Sequence, residues 1–304
     1  MAETTRSAFL ALIGRPNVGK SSLLNRLVGQ KVAIVSDKPQ TTRNRIMGVS
    51  TEGDLQLVFL DTPGAHRPRT KLGDFMVRSI AEAVSGVDGA ILVVEPTAEI
   101  RDQEQELLER LKKEQLPAVL VINKIDLVEK KENLLACIAA WKDAYDFDAI
   151  LPLSAVTGEG LDDLKAALSD YAFDSPHFFP DDAVTDQPER VIAAELIREK
   201  MLQLLQQEIP HGIAVVIERM GEHEGKTGTV VDVEATIYCE RESHKGMVIG
   251  KKGAMLKEIG TRARADMEQM LDAKVNLQCW VKVKPDWRNR QGALGEFGFT
   301  IEKD

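Results

Sequence analysis

Gly14-Arg15-Pro16-Asn17-Val18-Gly19-Lys20-Ser21 decides the architecture of this chain. An apolar run, Ala8 to Ile13, precedes it and a leucine-rich stretch follows, so the segment reads as strand, glycine loop, helix. That context is what a phosphate-cradling loop requires. Gly14 and Gly19 let consecutive backbone N–H groups turn inward, where Cβ atoms would obstruct them. The helix starting near Lys20 adds its positive dipole end. Lys20 is placed to reach the β- and γ-phosphates of a nucleoside triphosphate, and the Ser21 hydroxyl to bind Mg²⁺. Arg15, Pro16, Asn17, Val18 and Ser22 complete the expected cradle.

Further along, Val119 to Ile122 reads as a buried parallel strand with Asn123-Lys124-Ile125-Asp126 at its carboxyl end, the edge where ligands of open α/β sheets bind. Guanine presents adjacent N–H donors at N1 and N2, and one carboxylate accepts both. Asp126 fits that role, Lys124 can lie over the base plane, and Asn123 can tie this loop to the phosphate loop. A second strand, Ala149 to Leu153, delivers Ser154-Ala155, whose backbone N–H can meet guanine O6. The base is therefore expected to be guanine, the nucleotides GTP and GDP.

Between these stretches lie the hydrolytic elements. Asp61-Thr62-Pro63-Gly64 follows the apolar strand Leu55 to Leu60. Asp61 is expected to hold Mg²⁺ through water, and the Gly64 N–H to contact the γ-phosphate. In the polar segment Gln30 to Arg45, Thr41 and Thr42 both carry hydroxyls, and Thr42 is favoured for the Mg²⁺ shell when the γ-phosphate is present. Lys20, Thr42, Asp61 and Gly64 are thus the candidate catalytic residues. The two loops read as switches, ordered by γ-phosphate and Mg²⁺ and released after hydrolysis.

Together with Gln40-Thr41-Thr42-Arg43, these motifs resemble those of the Era-type GTPases. In that group the glutamine that usually orients the attacking water is replaced. Here Ala65 stands after Gly64 and cannot orient anything; His66 follows it. The resemblance implies slow basal turnover. Related GTPases with Asn at the position of Asn17 can hold K⁺ beside the phosphates, which predicts faster hydrolysis in KCl than in NaCl. The alternative is that Asn17 only suits the turn, and equal rates in the two salts would favour it.

Length and composition frame the rest. The 304 residues allow two domains, and 43% hydrophobic residues can support real cores. Cys137, Cys239 and Cys279 are scattered without a CxxC pair, so neither a zinc site nor a disulfide framework is indicated. The polar N-terminus and the lack of a long apolar run point to a cytoplasmic protein, expected to be monomeric. Strand and helix alternate to about Phe173, with helices near 20–28, 71–84, 102–115, 130–145 and 160–172. This predicts a mainly parallel sheet covered on both faces, spanning residues 1–173. The breaker-rich stretch Asp174 to Pro188 reads as a linker, and residues 189–304 as a second domain.

That second domain opens with an expected amphipathic helix, Glu189 to Glu208, with its stripe at Val191, Ala194, Leu196, Ile197, Met201, Leu204 and Leu205. Strands Ile213 to Ile217 and Thr229 to Tyr238 follow, then Gly250-Lys251-Lys252-Gly253 between two helical stretches, and a strand from Val275 to Val283. A GxxG turn alone is cheap. Preceded by Val248-Ile249 and set in the order helix, strand, strand, helix, helix, strand, it resembles the type II KH domain, an α+β module that clamps about four single-stranded nucleotides. The glycines allow close approach of a nucleic-acid backbone, the lysines attract phosphates, and Ile249 and neighbouring apolar residues are expected to floor the base groove.

Charge agrees with that reading. The chain carries a net −9, yet His244 to Arg290 holds 11 Lys and Arg against 5 Asp and Glu. Trp280 and Trp287 are candidates for base stacking, against the commoner role of core packing. Over essentially its full length the chain resembles the Era family. This implies binding to small-subunit (16S) ribosomal RNA near its 3′ end, a role in maturing that subunit, and a loose association with the inner membrane. The rival reading is a membrane-associated signalling GTPase whose C-terminal domain contacts protein or membrane.

Overall fold

The computed structural model describes residues 4–38, 41–64, 70–84, 86–205, 212–226 and 228–299. The chain divides into two compact units. The first comprises Met1–Ala33, Thr42–Arg67 and Met76–Asp186, and the second Ile34–Thr41, Pro68–Phe75 and Gln187–Asp304.

In the first unit, β1 (Arg6–Ile13), β2 (Ile46–Glu52), β3 (Leu55–Asp61), β4 (Gly89–Val94), β5 (Ala118–Ile122) and β6 (Ala149–Pro152) form a sheet in the order β2-β3-β1-β4-β5-β6. The short β7 (Phe173–Asp174) pairs antiparallel with the start of β1. Only β2 and β7 run against the rest; β1 lies parallel to β3, with Arg6 opposite Leu55 through Leu12 opposite Asp61. Parallel strands need crossovers, and crossovers bury both faces. Accordingly every residue of β5 is fully buried. One core, with Leu10, Leu12, Leu23 and Phe59, covers one face; the other, with Ile13, Leu92, Leu120 and Trp141, covers the opposite face. The helices are α1 (Lys20–Val28), α2 (Lys71–Val84), α3 (Asp102–Glu114), α4 (Lys131–Lys142) and α5 (Leu161–Ser169). This topology brings the carboxyl ends of β1, β3, β5 and β6 to one edge, which collects the sequence motifs.

The second unit follows the order α6 (Glu189–Leu204), β8 (Ile213–Gly225), β9 (Gly228–Cys239), α7 (Glu242–Ile249), α8 (Ala254–Leu271), β10 (Lys274–Val283) and a short terminal α9 (Gln291–Glu296). Its sheet runs β10-β9-β8, with β10 parallel and β8 antiparallel to the central β9. Leu196, Ile197, Met201, Val233, Ile237, Ile259 and Met267 share its core. This is the KH arrangement expected from the sequence.

Two expectations need correction. The predicted helix to Glu208 ends as α6 at Leu204, Leu205 is already extended, and 206–211 lie outside the described residues. Nor is α6 simply amphipathic, because Arg198, Glu199 and Lys200 are buried as well. The reason lies within the second unit, where Ile34–Thr41 supplies polar partners for that side of the helix. The Val35 N–H donates to Glu199 Oε1 at 2.9 Å, Arg198 donates to the Thr41 carbonyl, and Lys200 pairs with Glu199 at 2.8 Å and with Asp266 at 2.6 Å. Trp287 is core: fully buried, it donates Nε1–H to the Gly212 carbonyl at 3.0 Å and packs against Phe297 and Phe299. Trp280 instead stays 44% exposed on β10, on the face opposite the core residues Val275, Leu277, Cys279 and Val281.

Candidate nucleotide site and nucleic-acid groove

The phosphate loop leaves β1 and enters α1 through left-handed backbone at Asn17 (φ 64°) and Gly19 (φ 98°). Asn is among the few non-glycine residues that accept this region. A Cβ on Gly14 would stand 2.4 Å from the Val93 carbonyl oxygen, and one on Gly19 2.2 Å from Asn123 Nδ2. No side chain can occupy either place without moving the sheet or the base loop. Lys20 folds over the loop, its Nζ donating to the Gly14 and Arg15 carbonyls at 3.0 and 2.9 Å. Burial lowers its pKa to about 8, although the Asp61 charge opposes that fall. Val18 is fully buried, so it can offer a ligand only backbone.

At the end of β3, Asp61 Oδ2 accepts from Ser21 Oγ at 2.7 Å and from Thr42 Oγ1 at 3.4 Å, and the two hydroxyls lie 2.9 Å apart. The other oxygen, Oδ1, is buried with no hydrogen-bond partner among the described residues. Burial pushes this carboxyl up to about 6, against the pull of Lys20 and of the two hydroxyls. Three hard oxygen donors converging beside an orphaned carboxylate oxygen suit Mg²⁺. Thr41 is turned away, donating its hydroxyl to the Lys38 carbonyl at 2.6 Å, which leaves Thr42 as the candidate ligand. Thr62 is likewise spent internally, on the Leu12 carbonyl at 2.8 Å. Gly64 lies against the loop, where a Cβ would meet Pro16 N at 2.5 Å. Ala65, His66 and Gln40 lie outside the described residues.

The base end gathers at β5 and β6. Asn123 Nδ2 donates to the Val18 carbonyl at 2.8 Å, so the expected tie between base loop and phosphate loop is present. Asp126 is exposed on the short turn Ile125–Leu127, and its Oδ1 accepts from Ser154 Oγ at 2.5 Å. One detail differs from the sequence reading. The Ser154 N–H donates to the Glu159 carbonyl at 3.0 Å and the Ala155 N–H to Asn123 Oδ1 at 3.0 Å. Both backbone donors offered to guanine O6 are therefore engaged within the protein. Sequence reasoning also missed Arg26, whose guanidinium holds the Ala155 and Val156 carbonyls at 3.0 and 2.5 Å, and Glu95, which accepts from Lys124 Nζ at 2.6 Å. Neither belongs to a motif; both come from elements flanking the loops.

In the second unit, Gly250 (φ 71°), Lys252 (φ 53°) and Gly253 (φ 80°) form the turn between α7 and α8, with Lys251 and Lys252 exposed. A Cβ on Gly250 would lie 2.6 Å from Met255 Cβ, so this glycine is required. Beside the turn runs a groove of about 360 Å³ lined by Leu256, Lys257, Gly260, Arg264, Leu277 and Cys279, among others. Of the residues expected at this site, Gly253 lines the groove. Val248 is fully buried in the core and Ile249 does not line this groove, whose apolar surface comes from Leu256, Leu277 and Cys279. Burial raises the Cys279 thiol to about 11, keeping it neutral. The missed residues 256, 260 and 264 follow helical spacing on α8, a signal legible once a GxxG turn is recognised.

Among the described residues no helix is long and apolar enough to cross a membrane. Comparison with known proteins places both units. Residues 9–124 match the family described as 50S ribosome-binding GTPase, and residues 208–288 match the KH domain family. GTPase Era of Clostridioides difficile (strain 630) is 49% identical over 295 residues, spanning 97% of this chain and 99% of that protein. GTPase Era of Ruminiclostridium cellulolyticum is 47% identical, spanning 98% and 99%. The crystal structure of a single-residue variant of Aquifex aeolicus Era bound to GDP·AlF4⁻ superposes with a TM-score of 0.92 at 37% identity, over 98% of this chain and 100% of that one. Era in complex with MgGDPNP and nucleotides 1506–1542 of 16S ribosomal RNA gives the same TM-score, identity and coverage.

Proposed function

This chain belongs to the Era family of GTPases, and on that premise we propose that it is a GTP-gated switch binding 16S ribosomal RNA near its 3′ end during assembly of the small ribosomal subunit. GTP hydrolysis with Mg²⁺ and an RNA-binding KH domain follow from the family. Binding of single-stranded RNA rests on one observation, a left-handed GKKG turn with two exposed lysines beside a groove of about 360 Å³, while the 16S assignment comes from the family. It is supported by the likeness to the Era structure that holds MgGDPNP and 16S nucleotides 1506–1542. The 50S description attaches to the match over residues 9–124, which does not include the KH part.

In this reading the backbone from Gly14 to Gly19 surrounds the phosphates, Lys20 meets the β- and γ-phosphates, and Asp126 accepts the two guanine N–H donors. Ser21 and Thr42, with Asp61 through water, would hold Mg²⁺, which when bound neutralises phosphate charge during hydrolysis. Gly64 offers its N–H to the γ-phosphate. Single-stranded RNA lies in the groove, its backbone against Gly250 and Gly253, its phosphates near Lys251, Lys252, Lys257 and Arg264. Gating is motivated by the chain division, since Thr42 belongs to the first unit and its neighbour Thr41, held by Arg198, to the second.

The test is fluorescence anisotropy with an RNA covering nucleotides 1506–1542 and a scrambled RNA of equal length, in fixed salt. Binding at least about tenfold tighter to the 16S sequence is expected. Equal affinities would remove the 3′-end assignment and leave a non-selective RNA binder. Failure of both RNAs to bind, with vesicle flotation instead, would favour the membrane-signalling reading.

A further inference from the structure

Asn123 is not the only bridge between the phosphate loop and the base loop in the first unit. Glu95 stands directly after β4, and its carboxylate is divided between the two loops. Oε1 accepts from Lys124 Nζ at 2.6 Å, and Oε2 accepts from the Arg15 guanidinium at 3.2 Å. Arg15 is itself anchored, donating Nε–H to Glu104 Oε1 at 2.7 Å, with the Glu104 side chain completely buried. Glu104 Oε2 in turn accepts the Arg101 N–H at 2.9 Å, fixing the pair to the first turn of α3. The Arg15 carbonyl is one of the two that hold Lys20 Nζ.

From this chain of contacts we infer that Glu95 is a positioning residue for guanine-nucleotide retention: one carboxylate sets the base-loop Lys124 and the phosphate-loop Arg15 together. Lys124 has left-handed backbone at φ 65°, a region a lysine adopts only when its surroundings hold it there. Without Glu95, two cations flank one gap and the Lys124 stem is free to leave the base plane. The lone competing role is that of an ordinary ion pair, since the Glu95 and Lys124 side chains are 33% and 28% exposed and exposed pairs contribute little. Two features argue against it. Glu95 holds a second, largely buried cation, and both partners belong to nucleotide loops. Glu95→Gln leaves Arg15 paired with Glu104, and Lys124, whose side chain is 28% exposed, can turn to water, so no fully buried charge is orphaned.

The inference rests on the guanine-site reading, which the same assay checks separately, because a wild-type protein with no preference for GDP over ADP would fail before Glu95 was tested. The experiment measures release of fluorescent GDP in Mg²⁺ from wild type, Glu95→Gln, Lys124→Ala and the double variant, with fluorescent ADP on wild type as the base control, Glu95→Asp as a second substitution and thermal midpoints recorded for all. Glu95→Gln is expected to speed release about tenfold, the scale of a charge-assisted hydrogen bond. In the Lys124→Ala background the same change is expected to cost about threefold or less, the remainder acting through Arg15. Glu95→Asp should lie between wild type and Glu95→Gln. Release unchanged or slowed by Glu95→Gln would overturn the inference, and so would effects of Glu95→Gln and Lys124→Ala that simply multiply.

Discussion

Asp61 carries the sharpest residue-level prediction. Its carboxyl sits at about 6 in the fold against an ordinary value of 3.8, with burial as the main cause. A raised carboxyl favours the protonated fold, so the ligand-free protein loses this contribution as pH climbs from the ordinary value through about 6. Mg²⁺ requires the ionised form. Addition of Mg²⁺ and GDP should therefore raise the thermal midpoint more near pH 7.5 than near pH 5.5, and Asp61→Asn should shrink that difference. Thr42→Ala should slow GTP hydrolysis at least about tenfold while leaving GDP affinity within about twofold, because its proposed ligand role needs the γ-phosphate. Asp126→Asn should shift preference toward xanthine nucleotides, whose O2 acceptor suits an amide donor; competition binding against GDP measures it. Gly14, Lys20, Asp61 and Asp126, the residues proposed to hold nucleotide and metal, stand out in the sequence because each proposed chemistry demands one residue type at one spacing. Glu95 and Arg26 do not, since they act across sequence separations of 29 and 129 residues and belong to no local pattern.

At the scale of elements, strands read well and polar contexts read poorly. Ala118–Ile122 was recognisable as a buried strand because a continuous apolar run bounded by breakers has few other solutions. For α6 the apolar stripe was visible, but the burial of Arg198, Glu199 and Lys200 was not. Nothing local announces that a distant polar segment and Asp266 will supply their partners. Trp280 and Trp287 show the same limit: Trp280 lies 44% exposed on β10, whereas Trp287, past the end of that strand, is buried by Phe297, Phe299 and the Gly212 carbonyl, partners that no local pattern announces. The GKKG turn makes a prediction of its own. Lys251→Glu with Lys252→Glu should weaken RNA binding by an order of magnitude or more and reduce the slope of log affinity against log salt by about two, one per lost phosphate contact. Binding titrations across a salt series give both quantities, and an unchanged slope would move the phosphate contacts elsewhere.

For the whole molecule, two domains and their families were legible from motif order, whereas the grouping of Ile34–Thr41 and Pro68–Phe75 with the C-terminal part was not. That grouping is a matter of tertiary contact, which strand and helix periodicity does not encode. It gives the proposed switch its physical form, because the chain passes from one unit to the other between Thr41 and Thr42. The proposed switch requires that GTP, in ordering Thr42, also biases the groove, and linkage makes any such bias reciprocal. The most direct measurement is a pair of titrations: single-stranded 16S RNA against protein loaded with GDP or with a non-hydrolysable GTP analogue, and the analogue against protein with and without saturating RNA. The account predicts tighter RNA binding in the analogue-loaded state, by about fivefold or more, and an equal gain in analogue affinity when RNA is present. Identical RNA affinities in the two nucleotide states, with analogue affinity indifferent to RNA, would contradict it.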